Sequence, residues 1–131
     1  VLSGGNAAWR GKELPDGVLG GILTANNIAR LDLSGTEMVV LSACQSGQGK
    51  ATSEGLYGLQ RAFKKAGVGT MVMALWSVSD KVATEFMTAF YEQLASKQCK
   101  WNKRKAFENA KSIIREKYPD PYYWAAFVML D

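Results

Sequence analysis

The stretch MVVLSACQSGQGKAT, residues 38–52, decides how the rest of the chain is read. Residues 38–43 form an apolar run broken only by Ser42, bounded by Gly35 before it and a glycine-rich loop after it. That pattern predicts a strand buried on both faces, as in the middle of a parallel sheet. Cys44 follows the run directly, and Gly47, Gly49 and Lys50 lie in the loop beyond it. The question is whether Cys44 is a nucleophile at a strand end or the loop is a cradle for phosphate.

Downstream, residues 54–66 place Leu56, Leu59 and Phe63 at helical spacing, with Thr52 or Ser53 to cap and Gly67 to terminate. A second apolar run, residues 70–76, follows at once. Strand, helix and strand in this order predict a right-handed crossover between parallel strands. Ser79 and Asp80 then open a helix in which Val82, Phe86, Phe90 and Leu94 recur every four residues, beside Ala83 and Met87. Asn102 caps another helix, with Ala106, Ala110, Ile113 and Ile114 inward, and Pro119 and Pro121 stop it. YYWAAFVML, residues 122–130, reads as a closing strand with an aromatic start at a sheet edge. Upstream, Asp16-Gly17 and Gly20-Gly21 suggest a surface loop with a small hairpin, and Thr24 caps a short helix carrying Ile28 and Leu31 on one side. The expected class is α/β, with a mostly parallel sheet flanked by helices.

With 131 residues, 47% of them hydrophobic and 21% charged, the chain suits a single core. No run has the roughly 18 apolar residues of a spanning helix, and the opening residues lack signal-peptide order, so a cytoplasmic location without membrane contact is expected. Two cysteines and no histidine cannot assemble the usual zinc spacings, and no metal or other cofactor is expected. The formal net charge is +4, and half of the lysines and arginines fall in residues 97–117, mixed with Glu108 and Glu116. A solvated helix face accounts for them, and no nucleic-acid contact is expected. Cys99, among Lys and Gln between two helices, reads as an exposed bystander, and Lys50 as solvated.

A phosphate-binding loop has the form G-x-x-x-x-G-K followed by Ser or Thr. Gly49-Lys50 fits, but Cys44 stands in place of the first glycine and Ala51 in place of the magnesium-binding hydroxyl. The nucleophile reading needs a thiol at the carboxyl end of a strand beside open backbone amides. Cys44 meets the first requirement. Gln45, Ser46 and Gly47 let the main chain curl round a tetrahedral intermediate, so that the Cys44 N–H donates to the oxyanion. The competing structural reading is an inert cysteine packed at a strand end.

Taken in order, residues 16–49, EGLYGLQRAFKKAG (54–67), LWSVSD (75–80) and YYWAAFVML resemble the CHAT domain. This is a caspase-like module often joined to tetratricopeptide repeats, with a more distant similarity to separases. The resemblance implies a caspase-like sandwich and a cysteine endopeptidase with a cysteine–histidine dyad, in which Cys44 is the nucleophile. It makes residues 1–131 the carboxyl-terminal part of one such domain. The family's His-Gly pair would lie upstream, so this piece alone is expected to be inactive, having nothing to carry a proton to the leaving amine. The alternative is a catalytically inactive scaffold.

By the same resemblance Asp80 lies near the pocket for the residue preceding the scissile bond, where a carboxylate would select Arg or Lys. An ordinary helix start explains Ser79-Asp80 equally well. Ser77 is a candidate pocket wall, while Trp76 is expected in the core. Glu54-Gly55, a pair the family shares, sits at a helix start. The implied partners are a protein or peptide substrate and a sensor or repeat domain in the same or another chain. Without its upstream neighbour, the strand at residues 38–43 is expected to present an apolar edge and to promote self-association.

Overall fold

The computed structural model describes residues 23–41 and 53–131, with side chains in the second stretch from Tyr57 onward. In chain order the elements are α1 (Ala25–Ile28), β1 (Met38–Leu41), α2 (Ser53–Lys65), β2 (Thr70–Ala74), α3 (Asp80–Ala95), α4 (Lys103–Lys117), α5 (Pro121–Trp124) and β3 (Phe127–Leu130). The described strands form one sheet in the order β1-β2-β3. β1 runs parallel to β2, with Met38 opposite Thr70 and Leu41 opposite Met73. β3 runs antiparallel to β2, with Ala74 opposite Phe127 and Met71 opposite Leu130. The described sheet is therefore mixed, where a mostly parallel one was expected.

Side chains alternate across a strand, and here each face has its own apolar layer. Val72 and Ala74 of β2, joined by Phe127 and Met129 of β3, pack against α3 and α4 through Val82, Phe86, Phe90, Phe107, Ala110 and Ile114. Met71 and Met73 point the other way and meet Ala62, Phe63 and Val68 near the end of α2, together with Ile28 of α1. β2 is buried at all five residues. Phe86 centres the larger layer, stacked on Phe127 at 3.9 Å between ring centroids and meeting Phe107 edge-on at 5.5 Å. Truncating a phenylalanine so enclosed costs about 3–5 kcal/mol.

α2 ends as its sequence suggests. Gly67 takes φ +101°. The Val68 N–H donates to the Phe63 carbonyl at 3.1 Å and the Gly67 N–H to that of Lys64 at 3.1 Å, which closes a Schellman cap. Val68 and Phe63 share the same apolar layer, so the cap also seats the start of β2.

Several expectations need correction. Cys99 is buried, at 2% exposure. Its N–H donates to Ser96 Oγ at 3.2 Å, and the Asn109 amide donates to its sulfur at 3.5 Å, drawing the turn before α4 inward. Tyr122, Tyr123 and Trp124 belong to α5 instead of the last strand, because Asp120 accepts from the Tyr122 N–H and Pro121 supplies a helical φ at the first position. Ile113 is 42% exposed, whereas Phe107, on the face of Ala110 and Ile114, is buried; Leu31 is exposed as well. Trp76 is only partly buried, its Nε1 donating to the Tyr122 carbonyl at 2.8 Å. Thr24, Ser79 and Asn102 cap α1, α3 and α4 as expected. Residues 42 and 43 of the expected first strand and the expected hairpin near Asp16-Gly17 lie outside the described residues. Among the described residues no helix is long and apolar enough to cross a membrane.

Three carboxylates are held below their ordinary range. Hydrogen bonds from Ser34 lower Asp32, the Lys117 ammonium at 2.9 Å lowers Glu85, and the Arg104 guanidinium lowers Asp131. Each therefore binds a proton more readily in the unfolded chain. Their contribution is complete above the ordinary carboxylate values of 3.8 and 4.5 and is lost as pH falls through the lower folded values. Thermal melts in descending pH should show Tm falling below about pH 4.5, with a shallower fall in E85Q and D131N than in the parent.

Two glycines of α2 and its cap should respond oppositely to the same change. A methyl at Gly67 would meet Ser34 Cα at 2.8 Å on a backbone already at positive φ, whereas one at Gly58 meets nothing within 4 Å. Denaturant unfolding should show G67A destabilised by about 1–3 kcal/mol. It should show G58A stabilised by about 0.5–1 kcal/mol, the helix-interior gain of alanine over glycine.

Candidate functional site

Because β1 and β2 are parallel, the chain leaves both at the same edge of the sheet. Beyond β1 the sequence reaches Cys44 three residues after Leu41. Beyond β2 it runs through Leu75, Trp76 and Ser77 to the Ser79 cap of α3. β3 begins at this edge, opposite the end of β2, so α5 just before it lies here too. Cys44, Gln45, Ser46, Gly47, Lys50 and the Glu54 side chain lie outside the described residues. The described half of the candidate site is the β2–α3 connection with α5 beside it.

That connection is held at three points. The Leu75 N–H donates to the Ala126 carbonyl at 2.8 Å, extending the β2–β3 ladder by one bond. Trp76 Nε1 donates to the Tyr122 carbonyl at 2.8 Å, and the Tyr122 hydroxyl donates to the Ser77 carbonyl at 2.6 Å. The Trp76 and Tyr122 rings lie 6.4 Å apart and tilted by 32°. Residue 122 thus both receives and gives a hydrogen bond across one short loop. The aromatic content of residues 122–124 suggests a strand and hides this role in the sequence. The Asp120-Pro121 pair, a cap followed by a first-turn proline, was the signal for a helix there.

Ser77 and Asp80 have different surroundings. The Ser77 residue is exposed, and its carbonyl is the one engaged by Tyr122. Ser79 caps α3 by accepting from the Val82 N–H at 3.4 Å, and Asp80 opens the helix with an exposed carboxylate at the positive end of the helix dipole. Asp80 also lines an open groove of about 420 Å³ with Ala83, Thr84, Met87, Thr88 and Tyr91. The residues follow one helical stripe, so the groove runs along α3 from its amino terminus. It offers a carboxylate at one end, apolar contact in the middle and a phenol at the other end. Ser77 is not among its described lining. Among the described residues no group of three or more His, Cys, Asp or Glu side chains is placed to hold a metal ion.

The arrangement is that of an α/β domain whose candidate chemistry lies where parallel strands end. All of residues 1–131 match the family model described as the CHAT domain, and the chain belongs to that family. Tetratricopeptide repeat protein 28 of Mus musculus is 33% identical to it over 114 residues, covering 83% of this chain. The protein of the same name from Homo sapiens is 29% identical over 111 residues, with the same coverage. In both cases the match spans 4% of the relative's length. No solved structure matches the chain significantly.

The Tyr122 hydroxyl can be removed with little change in volume. Y122F should lower stability by about 0.5–1.5 kcal/mol in denaturant unfolding, the usual worth of one such hydrogen bond. Amide exchange should speed up at residues 76–79 more than in the middle of α4 if the bond fixes this loop.

Proposed function

We propose that this domain is the nucleophile-bearing part of a CHAT-type cysteine endopeptidase. The observation that carries the reading is the parallel pairing of β1 with β2, which sends the segment leading to Cys44 and the segment leading to Asp80 off one edge of the sheet. Reactive groups of α/β domains gather at such an edge. In this reading the Cys44 thiolate attacks the peptide carbonyl carbon. A carbon–sulfur bond forms while the carbonyl π electrons move to oxygen, where main-chain N–H groups around Cys44 to Gly47 stabilise the charge. The carbon–nitrogen bond then breaks, and the amine leaves with a proton from a histidine upstream of residue 1. Water hydrolyses the thioester and restores the thiol.

An unperturbed thiol, with a pKa near 8.5, is only a few per cent ionised at neutral pH, so the histidine is needed for activation as well as for proton delivery. Asp80 is the proposed selector of Arg or Lys before the scissile bond, through its carboxylate on the α3 groove. The repeat relatives support a setting in which a repeat or sensor domain controls access to the site. One observation favours a second reading, an inactive caspase-like scaffold: these 131 residues hold no histidine.

The test is C44A in the full-length protein, assayed on a peptide library with Arg or Lys before the cleavage point. Cleavage by the parent and a loss of at least about a thousandfold in C44A is the expected result. Unchanged cleavage in C44A would remove Cys44 from the mechanism. No cleavage by the parent, with no His-Gly pair upstream, would establish the scaffold.

A further inference from the structure

The turn between α3 and α4 has features that the peptidase reading does not use. Lys100 and Trp101 sit at φ 46° and 62°, consecutive left-handed residues without a glycine between them. This conformation brings the β-carbon against the backbone, and bulky residues rarely adopt it. The turn is nevertheless firmly built. The Lys100 N–H donates to the Ser96 carbonyl at 3.0 Å and the Asn102 N–H to the Cys99 carbonyl at 2.8 Å. Cys99 is buried beneath it, within reach of the Asn109 amide, which also donates to Gln93 Oε1 at 3.0 Å.

What this scaffold displays is an indole. Trp101 is 70% exposed, more than any other large hydrophobic side chain described. Burying it would serve the core, and glycine would relieve the backbone, yet the turn does neither.

The charged residues of the turn's own sequence, residues 97–105, are all basic. Lys97, Gln98, Lys100, Asn102, Lys103, Arg104 and Lys105 share the turn and the start of α4 with no acidic residue among them. Lys103 pairs with Glu37 at 3.0 Å and Arg104 with Asp131, whereas Lys97, Lys100 and Lys105 have no carboxylate partner among the described residues. Glu37 precedes β1 and Asp131 follows the antiparallel β3, so both mark the edge where the parallel strands begin. The turn lies at that edge, and the segments leading to Cys44 and Asp80 leave from the other. A partner held here would leave the candidate site open.

We propose that the Trp101 turn is a docking surface for an acidic protein segment, which places an apolar pocket over the indole and carboxylates against Lys97, Lys100 and Lys105. Charge complementarity selects the partner. A second copy of this chain, apposing its turn to this one, would set like charges against each other. A single indole with three lysines is a weak membrane anchor, because bilayer binding grows with the apolar area inserted. A tryptophan on a hydrogen-bonded turn among basic residues is, by contrast, the usual centre of a protein contact.

The test uses the full-length protein and a fluorescein-labelled peptide in which glutamates flank a central Leu-Pro pair, with binding read by anisotropy at rising salt. Saturable binding that weakens with salt is expected, reduced at least about tenfold in W101G and several-fold in K97Q/K100Q. W101G should melt no lower than the parent, since glycine accepts the left-handed backbone. Parent-like binding by W101G, or no saturable binding by the parent, would overturn the proposal. A marked drop in the Tm of W101G would also overturn it, by giving the indole a folding role. Sedimentation with phosphatidylserine vesicles that depends on Trp101, without peptide binding, would assign the turn to lipid instead.

Discussion

The structure depends on one strand having to be apolar on both sides. β2 is buried along its whole length between β1 and β3, so each of its residues must satisfy a layer of helices on one face or the other. Val72 and Ala74 require α3 and α4, while Met71 and Met73 require α2 and α1. A polar residue in β2 would lose solvation with no partner to replace it, which is why Thr70, the one polar member, sits at the strand's start near Asp131. Two helical layers on one sheet follow from that demand, and so does the parallel crossover, since α2 reaches its face only by covering the strand it has just left.

The parallel pair gives the sheet two chemically different edges. At one, the strands end in segments carrying a thiol in the sequence and a helix start with a carboxylate, and α5 ties the nearer loop down through Tyr122. At the other, ion pairs from Lys103 and Arg104 hold the start of α4 against the ends of β1 and β3. The described parts of the two edges are held by different contacts. The first is pinned by neutral hydrogen bonds to main-chain carbonyls, the second by charge at the surface and a buried cysteine beneath a turn.

Elements whose signals are local were legible from sequence. The apolar periods of α2 and α3, the caps at Thr24, Ser79 and Asn102, and the Gly67 terminator all act within a turn or two of chain. The structure departs from local signals where other contacts outweigh them. Residues 122–124 have strand-like aromatic content, yet Asp120 and Pro121 make a helical turn there. Cys99 lies in a polar stretch but is drawn inward by Ser96, Gln93 and Asn109, which lie on two different helices or beside them. On α4 the buried face runs through Phe107, Ala110 and Ile114, which leaves Ile113 turned off it, and Phe107 meets Phe86 and Phe90 edge-on.

The candidate site divides in the same way. Cys44 is a candidate because a strand-like run, a cysteine and a glycine-rich loop form a contiguous pattern that resembles the family's. The Tyr122 contact with Ser77 could not be found so, joining residues 45 apart along the chain. By itself the sequence determined the α/β class and most element positions, since these rest on hydrophobic period and capping chemistry carried within single segments, while Cys44 is a candidate nucleophile through the family resemblance. Only the tertiary structure decided the direction of β3, the burial of Cys99, the exposure of Trp101 and the tie between α5 and the β2–α3 loop, because each depends on which distant side chains fill the space beside it.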